Sequence, residues 1–284
     1  MSSTNRLGLH LRLKDNLATL VEEALLLQLS CIQFFLVEQK THQYLNFTSK
    51  DKQLFLQARQ TFLKDVFIHS SYWINAASSK KDVFNLSRSL LRREIRTAKS
   101  LEVPYLVLHA GSSKGHLVSA EDPLAKVKGL QSLARMLNSL LKKENDITLL
   151  LENAAHGNKT LGNDLNDFVI LKELLDQPEK IGFCLDTAHA YAYGYKLDPI
   201  NDFLATVDKT MGLASLKLIH FNDSDNLFGS MLDKHAAPGQ GNIGKDVLSS
   251  FLHHKNLQSL PKIIEAPVSS KQNLLQMLKF IRSW

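Results

Sequence analysis

The sequence predicts an α/β fold, a single (β/α)8 TIM barrel that covers residues 1–284. Eight short apolar runs alternate with segments of helical periodicity, and this alternation is typical of a parallel sheet with crossover helices. Eight such units favour closure of the sheet into a barrel, a fold that commonly uses about 250 residues as one domain. The chain shows no break in composition, no low-complexity linker and no internal repeat that would divide it.

The apolar runs locate the predicted strands, and the periodic segments between them locate the helices. The predicted strands are residues 7–11, 31–37, 66–68, 103–108, 147–151, 181–185, 216–219 and 263–264. The predicted helices cover residues 17–29, 51–63, 83–101, 123–143, 165–175 and 200–211, the stretch from 244 to 252, and 271–281. Long polar loops are expected at 38–50 and 222–244.

The composition is that of an ordinary globular protein, with 44% hydrophobic and 22% charged residues. No run of 18 apolar residues occurs and the first residues are polar, so we expect neither a membrane span nor a secretory signal. The expected location is cytoplasmic or otherwise intracellular. Cys31 and Cys184 lie in apolar runs and are expected to be buried, reduced thiols. The net charge of +6 suits a polyanionic partner such as nucleic acid, although simple solubility also accounts for it.

Polar residues that bind metals stand at the ends of six predicted strands. In a barrel of this kind the active site lies at the C-terminal ends of the strands, so closure would bring these residues to one mouth. Each alone has an ordinary explanation as a hydrogen-bonded or solvated loop residue, but three carboxylates and three imidazoles together would repel or stay unsatisfied without a cation. The six residues are His69, His109, Glu152, Asp186, His220 and Glu265.

Three further residues extend this set to more than one metal. Asp233 and His235 are two positions apart on a predicted extended segment, so their side chains point the same way. His189 lies one turn after Asp186. Imidazole and carboxylate ligands suit zinc, and also manganese or iron. Clustered metals stabilise both the attacking and the leaving oxygen in the cleavage of a phosphate ester.

Seven stretches, in order along almost the whole chain, resemble those of the endonuclease IV family, zinc-dependent apurinic/apyrimidinic (AP) endonucleases with a TIM-barrel fold. They are H-S-S-Y-W-I-N (69–75), L-H-A-G-S (108–112), L-E-N-A-A-H-G (151–157), C-L-D-T-A-H-A-Y-A-Y-G-Y (184–195), H-F-N-D-S (220–224), F-G-S-M-L-D-K-H-A-A-P-G-Q-G-N-I-G (228–244) and I-I-E-A-P (263–267). The D-T-x-H and D-x-H-x4-G-x-G-N-I-G motifs are the most specific of these signals.

The resemblance implies a monomeric repair endonuclease with three Zn2+ ions per chain, acting on double-stranded DNA that contains abasic sites. It would hydrolyse the phosphodiester bond 5′ to the abasic sugar and leave a 3′-hydroxyl and a 5′-deoxyribose phosphate. Glu152 and Glu265 are the carboxylates expected to orient the attacking water and to accept its proton. The implied ligands are His69, His109 and Glu152 for the first ion, Glu152, Asp186, His220 and Glu265 for the second, and His189, Asp233 and His235 for the third.

The loop after the second strand departs from the family pattern. The family carries a Lys-Asn-x-Arg-x-Trp-like stretch there, whereas this chain has F-L-V-E-Q-K-T-H-Q-Y (35–44) without the arginine. Tyr72 matches a family position that contacts DNA near the lesion. We expect Lys40 or His42 to contact phosphate and Tyr44 to stack on a base.

Two alternatives stay open at this point. A metal-dependent sugar isomerase or epimerase shares the barrel and an imidazole–carboxylate site, but it needs one or two metals and gives no reason for the trio His189, Asp233 and His235. A non-cutting, lesion-binding protein would keep the metals for structure alone, and an idle site has no reason to hold nine ligands.

Overall fold

The computed structural model describes residues 6–14, 16–38, 43–116, 124–143, 146–157, 159–265 and 270–284. Eight parallel strands close into a barrel, and in order around it they begin at residues 7, 262, 216, 181, 148, 105, 65 and 31. The predicted fold class is therefore confirmed. Since some segments lie outside the description, the assignment of all 284 residues to one domain stays a prediction.

A helix lies between each barrel strand and the next one along the chain, as the alternating pattern predicts. The strands are β1 Leu7–His10, β2 Cys31–Phe35, β3 Asp65–His69, β4 Tyr105–His109, β5 Thr148–Glu152, β6 Ile181–Asp186, β7 Leu216–His220, β8 Asp223–Ser224, β9 His235–Ala236 and β10 Lys262–Ile264. The helices are α1 Leu17–Leu26, α2 Ser49–Thr61, α3 Lys81–Ser100, α4 Ala125–Leu141, α5 Asn166–Leu174, α6 Thr187–Tyr193, α7 Ile200–Thr210, α8 Lys245–His253 and α9 Lys271–Arg282.

Three differences from the predicted elements lie close to the mouth of the barrel. The short helix α6 follows β6 directly, and its seven residues are too few for a periodic signal. The loop predicted at 222–244 contains an antiparallel ribbon, in which β8 pairs with β9. Strand β2 ends at Phe35 rather than at residue 37, because Val37 pairs back with Tyr44 across a turn.

The interior of the barrel is built in layers, because side chains two positions apart on a strand point to the same face. An apolar layer fills the middle, and it consists of Cys31, Phe67, Val107, Leu150, Cys184, Leu218 and Ile263. Two positions further along each strand stands a polar layer at the C-terminal mouth, which consists of Gln33, His69, His109, Glu152, Asp186, His220 and Glu265, with His10 from β1. The outward residues pack on the helices, as Phe34 does against Phe55 of α2.

In the part of the chain that the structure describes, every helix is too short or too polar to cross a lipid bilayer. The intracellular location and the monomeric state stay predictions.

Candidate metal centre

The first group of side chains lies at the ends of β3, β4 and β5. His69 Nε2 is 3.1 Å from Glu152 Oε2, and His109 Nε2 is 3.6 Å from the same oxygen. His69 donates its Nδ1–H to the backbone oxygen of Ser70 at 2.8 Å, so Nε2 is the nitrogen left to face the group. The ligand atoms of the three side chains lie within 4.8 Å of one another. Such a group can hold one cation.

The second group surrounds the imidazole of His220 at the end of β7. Its Nδ1 lies 2.9 Å from Glu152 Oε1, 3.2 Å from Glu265 Oε2 and 3.8 Å from Asp186 Oδ2. These four residues form a further set whose ligand atoms lie within 4.8 Å of one another. Glu152 therefore offers one oxygen to the first group and the other to the second.

The third group joins α6 to the ribbon strand β9. His189 Nε2 lies 3.3 Å and His235 Nε2 lies 3.2 Å from Asp233 Oδ1. His235 Nε2 is also 3.7 Å from Asp186 Oδ2, which places Asp186 between the second and third groups rather than in the second alone. His189 donates its Nδ1–H to the backbone oxygen of Asn153 at 2.8 Å.

Asp186 is held at the junction between β6 and α6. It is the N-cap of α6, and its Oδ1 accepts a hydrogen bond from the backbone N–H of His189 at 2.7 Å. Asn222 donates through Nδ2 to Asp186 Oδ2 at 2.7 Å, and its Oδ1 accepts from the backbone N–H of Glu265 at 2.8 Å. Asn222 Nδ2 also lies 3.3 Å from Glu265 Oε2, so this one amide contacts the carboxylates of both Asp186 and Glu265.

The nine predicted residues thus lie in one continuous set of contacts, with strong mutual electrostatic effects. Burial alone would raise the pKa of Glu152, but the imidazoles of His109, His220 and His69 hold that pKa well below its ordinary value. Burial would lower the pKa of His189, but the Asp186 and Asp233 carboxylates hold it well above. Cations bound among these side chains would supply the positive charge that the imidazolium groups supply in their absence.

A cleft of about 300 Å3 opens beside the first and third groups. Tyr72 lines it, is 67% exposed, and stacks with its ring centroid 5.9 Å from that of His109. His156 lines the opposite part, with its side chain 59% exposed and its Nε2 4.0 Å from Asp233 Oδ2. The polar side chains of Asn75 and Ser112 complete a lining that can take a polar ligand.

In the loop after β2, Tyr44 packs against neighbouring side chains instead of standing free for a base to stack on it. Its hydroxyl donates to Glu94 Oε1 at 2.9 Å, and its half-buried ring lies under the guanidinium of Arg93 at 4.1 Å. The DNA contacts of Tyr72 and Tyr44 stay predictions, and Lys40 and His42 lie outside the described residues.

Residues that complete the mouth escaped the sequence argument. His10 and Gln33 belong to the polar layer, and Asn222 and His156 contact the ligand carboxylates. The two-residue step from the apolar layer would have found His10, from Gly8, and Gln33, from Cys31. His156 stands in a quoted motif, but nothing in its spacing marks it.

The chain is similar to known proteins along most of its length. The AP endonuclease 2 family, described as a xylose isomerase-like TIM barrel, matches residues 21–284. Probable endonuclease 4 of Thermosipho melanesiensis is 37% identical over 202 residues, which span 70% of this chain and 69% of that protein. The crystal structure of endonuclease IV from Thermus thermophilus has a TM-score of 0.82 and 28% identity, and 98% of each chain is covered. The 3-keto-D-glucoside 4-epimerase of E. coli shares the fold alone, with a TM-score of 0.65 and 12% identity over 99% of this chain and 100% of that one.

Proposed function

The chain belongs to the endonuclease IV family of DNA repair endonucleases, and we propose that it hydrolyses the phosphodiester bond 5′ to an abasic site in double-stranded DNA with the help of three zinc ions. The observation that carries the proposal is the grouping of nine imidazole and carboxylate side chains into three contiguous sets at the C-terminal mouth of the barrel.

The donor set fits zinc. Zinc takes imidazole nitrogen and carboxylate oxygen, and each group supplies both kinds of donor. His69, His109 and Glu152 would hold the first ion, and Glu152, Asp186, His220 and Glu265 the second. His189, Asp233 and His235 would hold the third, with Asp186 close by. Hydrogen bonds from the remote nitrogens of His69 and His189 to backbone oxygens orient these two rings, as is usual for metal-binding histidines.

Bound zinc ions would lower the pKa of a water molecule and stabilise the attacking and leaving oxygens of the phosphate ester. The remaining roles belong to the protein. Both oxygens of Glu152 are held by imidazoles and its side chain is 1% exposed, so it is suited to bridging two sites. The Glu265 side chain is 14% exposed at the mouth, so we assign to it the proton of the attacking water.

The reaction balances with these groups. The water oxygen forms a bond to phosphorus as one of its protons passes to Glu265. The bond from phosphorus to the 3′ oxygen of the preceding nucleotide breaks, and this oxygen takes up a proton from solvent. The products are a 3′-hydroxyl end and a 5′-deoxyribose phosphate end. Tyr72 and His156 border the cleft in which we place the abasic nucleotide, and the net charge of +6 favours the approach of a polyanion.

An isomerase or epimerase would share the barrel, but its reaction gives no role to the third group, which consists of His189, Asp233 and His235. A lesion-binding protein that does not cut would use Glu265 as a metal ligand but not as the acceptor of the proton of the attacking water. Both alternatives give different results in the test below.

The test is incision of a duplex oligonucleotide that carries one tetrahydrofuran abasic analogue. The analogue cannot undergo β-elimination, so a product with a 3′-hydroxyl arises only by hydrolysis. We expect this product with zinc-loaded protein, none after chelation, and recovery when zinc is restored. The undamaged duplex of the same sequence is the control. Tight binding of the damaged duplex without cleavage would contradict the proposed chemistry, and no interaction with either duplex would contradict the proposed substrate.

A further inference from the structure

One member of the polar layer at the mouth is neither an acid nor an imidazole. Gln33 of β2 is fully buried beneath the second group of proposed ligands. Its Nε2 lies 2.7 Å from Glu265 Oε1 and 3.0 Å from His10 Nδ1, and its Oε1 lies 2.9 Å from His220 Nε2. A single amide therefore contacts two of the proposed ligands of one metal site.

The orientation of this amide follows from its partners. As a proposed metal ligand Glu265 is a deprotonated carboxylate, and a carboxylate can only accept hydrogen bonds. A carbonyl oxygen at 2.7 Å from that carboxylate would set two acceptors against each other, so the NH2 group of Gln33 must face Glu265.

The tautomer of His220 follows in turn. Since Gln33 Oε1 can only accept, His220 Nε2 must carry the hydrogen that joins them at 2.9 Å. The other nitrogen, Nδ1, then faces Glu152 Oε1 and Glu265 Oε2 and is the atom available to a cation. The bond to Gln33 also distinguishes the two oxygens of Glu265. Gln33 engages Oε1, whereas Oε2 lies 3.2 Å from His220 Nδ1, accepts from Asn222 Nδ2 at 3.3 Å and faces the proposed metal position.

We propose that Gln33 is a positioning residue for the second metal site, fixing the Nδ1-facing form of His220 and the rotation of Glu265. The inference rests on the proposed function, since it concerns the same centre. Partners of this kind hold the non-coordinating side of a ligand, and their loss typically costs about 10- to 100-fold in metal affinity or activity.

The test compares zinc retention by wild type and Gln33→Met against a graded chelator. Methionine has nearly the length of glutamine but neither an N–H nor a C=O group. We expect one of the three zinc ions to be lost at chelator strengths about 10- to 100-fold lower. We also expect kcat on the tetrahydrofuran duplex to fall while KM changes little, because Gln33 is buried and out of reach of DNA.

Phe34→Leu is the matched control. Phe34 is the next residue of β2, is equally buried, and points away from the mouth towards Phe55. This variant should lower the midpoint of thermal unfolding and leave the zinc-retention curve unchanged. An equal loss of zinc in Phe34→Leu would attribute the effect to barrel stability and overturn the role of Gln33.

A second measurement needs no variant to fold. Long-range 1H–15N correlation spectra of the zinc-loaded wild type report which nitrogen of His220 carries hydrogen. Hydrogen on Nε2 supports the proposal, and hydrogen on Nδ1 overturns it. If wild type binds three zinc ions and is fully active, and Gln33→Met behaves in the same way, the role of Gln33 is overturned but the proposed function is not. Wild type that binds no zinc or does not cut would overturn the proposed function itself.

Discussion

The two ends of the barrel both bury charged side chains, but they satisfy them differently. At the N-terminal end, the fully buried Lys262 donates from Nζ to the backbone oxygens of Leu257 at 2.8 Å and Leu260 at 3.0 Å. Arg6 pairs with Asp65 at the same end. At the C-terminal end, the carboxylates and imidazoles of the polar layer mainly contact one another.

The difference separates a structural charge from a functional one. The Lys262 ammonium is matched by carbonyl groups of its own loop and needs nothing from outside. A set of mutually contacting acids and imidazoles is stabilised only by shared protons or by cations, so it is poised to bind metal. Burial of a charge is common to both ends, and the kind of partner is what distinguishes them.

The largest expected effect is at the mouth. Glu265→Gln removes the charge of a proposed metal ligand and the acceptor of the water proton, so cleavage should fall by about 1,000-fold, comparable with the loss of a strong electrostatic contact at a reacting centre. Single-turnover cleavage of the tetrahydrofuran duplex measures it. Near wild-type incision would remove Glu265 from the chemistry.

Glu94 is a buried carboxyl outside the metal centre, and its change to glutamine is the matched control for Glu265→Gln. Glu94 accepts from Tyr44 and from the backbone N–H of Ser71, its Oε2 has no hydrogen-bond partner among the described residues, and burial raises its pKa to about 7 from 4.5. The folded chain keeps this proton up to about pH 7, whereas the unfolded chain releases it near pH 4.5. The free energy of unfolding therefore falls as pH rises between those values.

Glu94→Gln should abolish this fall in the free energy of unfolding, because glutamine does not titrate. Between about pH 4.5 and about pH 8, the free energy of unfolding of the variant should therefore rise by about 3 kcal/mol relative to that of wild type. Urea unfolding at both pH values measures the difference, and cleavage per folded molecule should stay at the wild-type level. An identical pH dependence in the two proteins would show that Glu94 titrates normally.

Lys262→Met tests the N-terminal end. It leaves two carbonyl oxygens without their donor, at a cost of about 1–3 kcal/mol in the free energy of unfolding. Denaturant unfolding measures the loss. Zinc content and cleavage by the folded protein should not change, and a lost zinc ion would mean that the two ends are not independent.

The smallest effect is expected at the rim of the cleft. His156 is largely exposed and only 4.0 Å from Asp233, and exposed ion pairs contribute about 0–1 kcal/mol. His156→Ala should lower kcat/KM by less than about fivefold and leave three zinc ions in place. A larger loss would make His156 part of the centre rather than of its rim.

The barrel and the convergence of its strand ends could be predicted from the sequence, because both follow from local patterns. These patterns are the alternation of apolar runs with helical segments and the polar residue at the end of each run. His69 and Glu152 could be placed without coordinates, since each ends an apolar run. The two-residue step along β2 could have placed Gln33 in the polar layer, but not its role, because the function of an amide depends on neighbours that only the structure shows. The packing of Tyr44 against Glu94 and Arg93 was hidden for the same reason, since it joins segments 50 residues apart.

The most direct test of the account is a count of zinc ions per chain in wild type and in the double variant Asp233→Ala, His235→Ala, measured by elemental analysis after zinc loading and removal of free metal. Three ions in wild type and two in the variant, with most cleavage lost, is the result predicted from the three groups at the mouth. One ion or none in wild type, or the same number in both proteins, would contradict it.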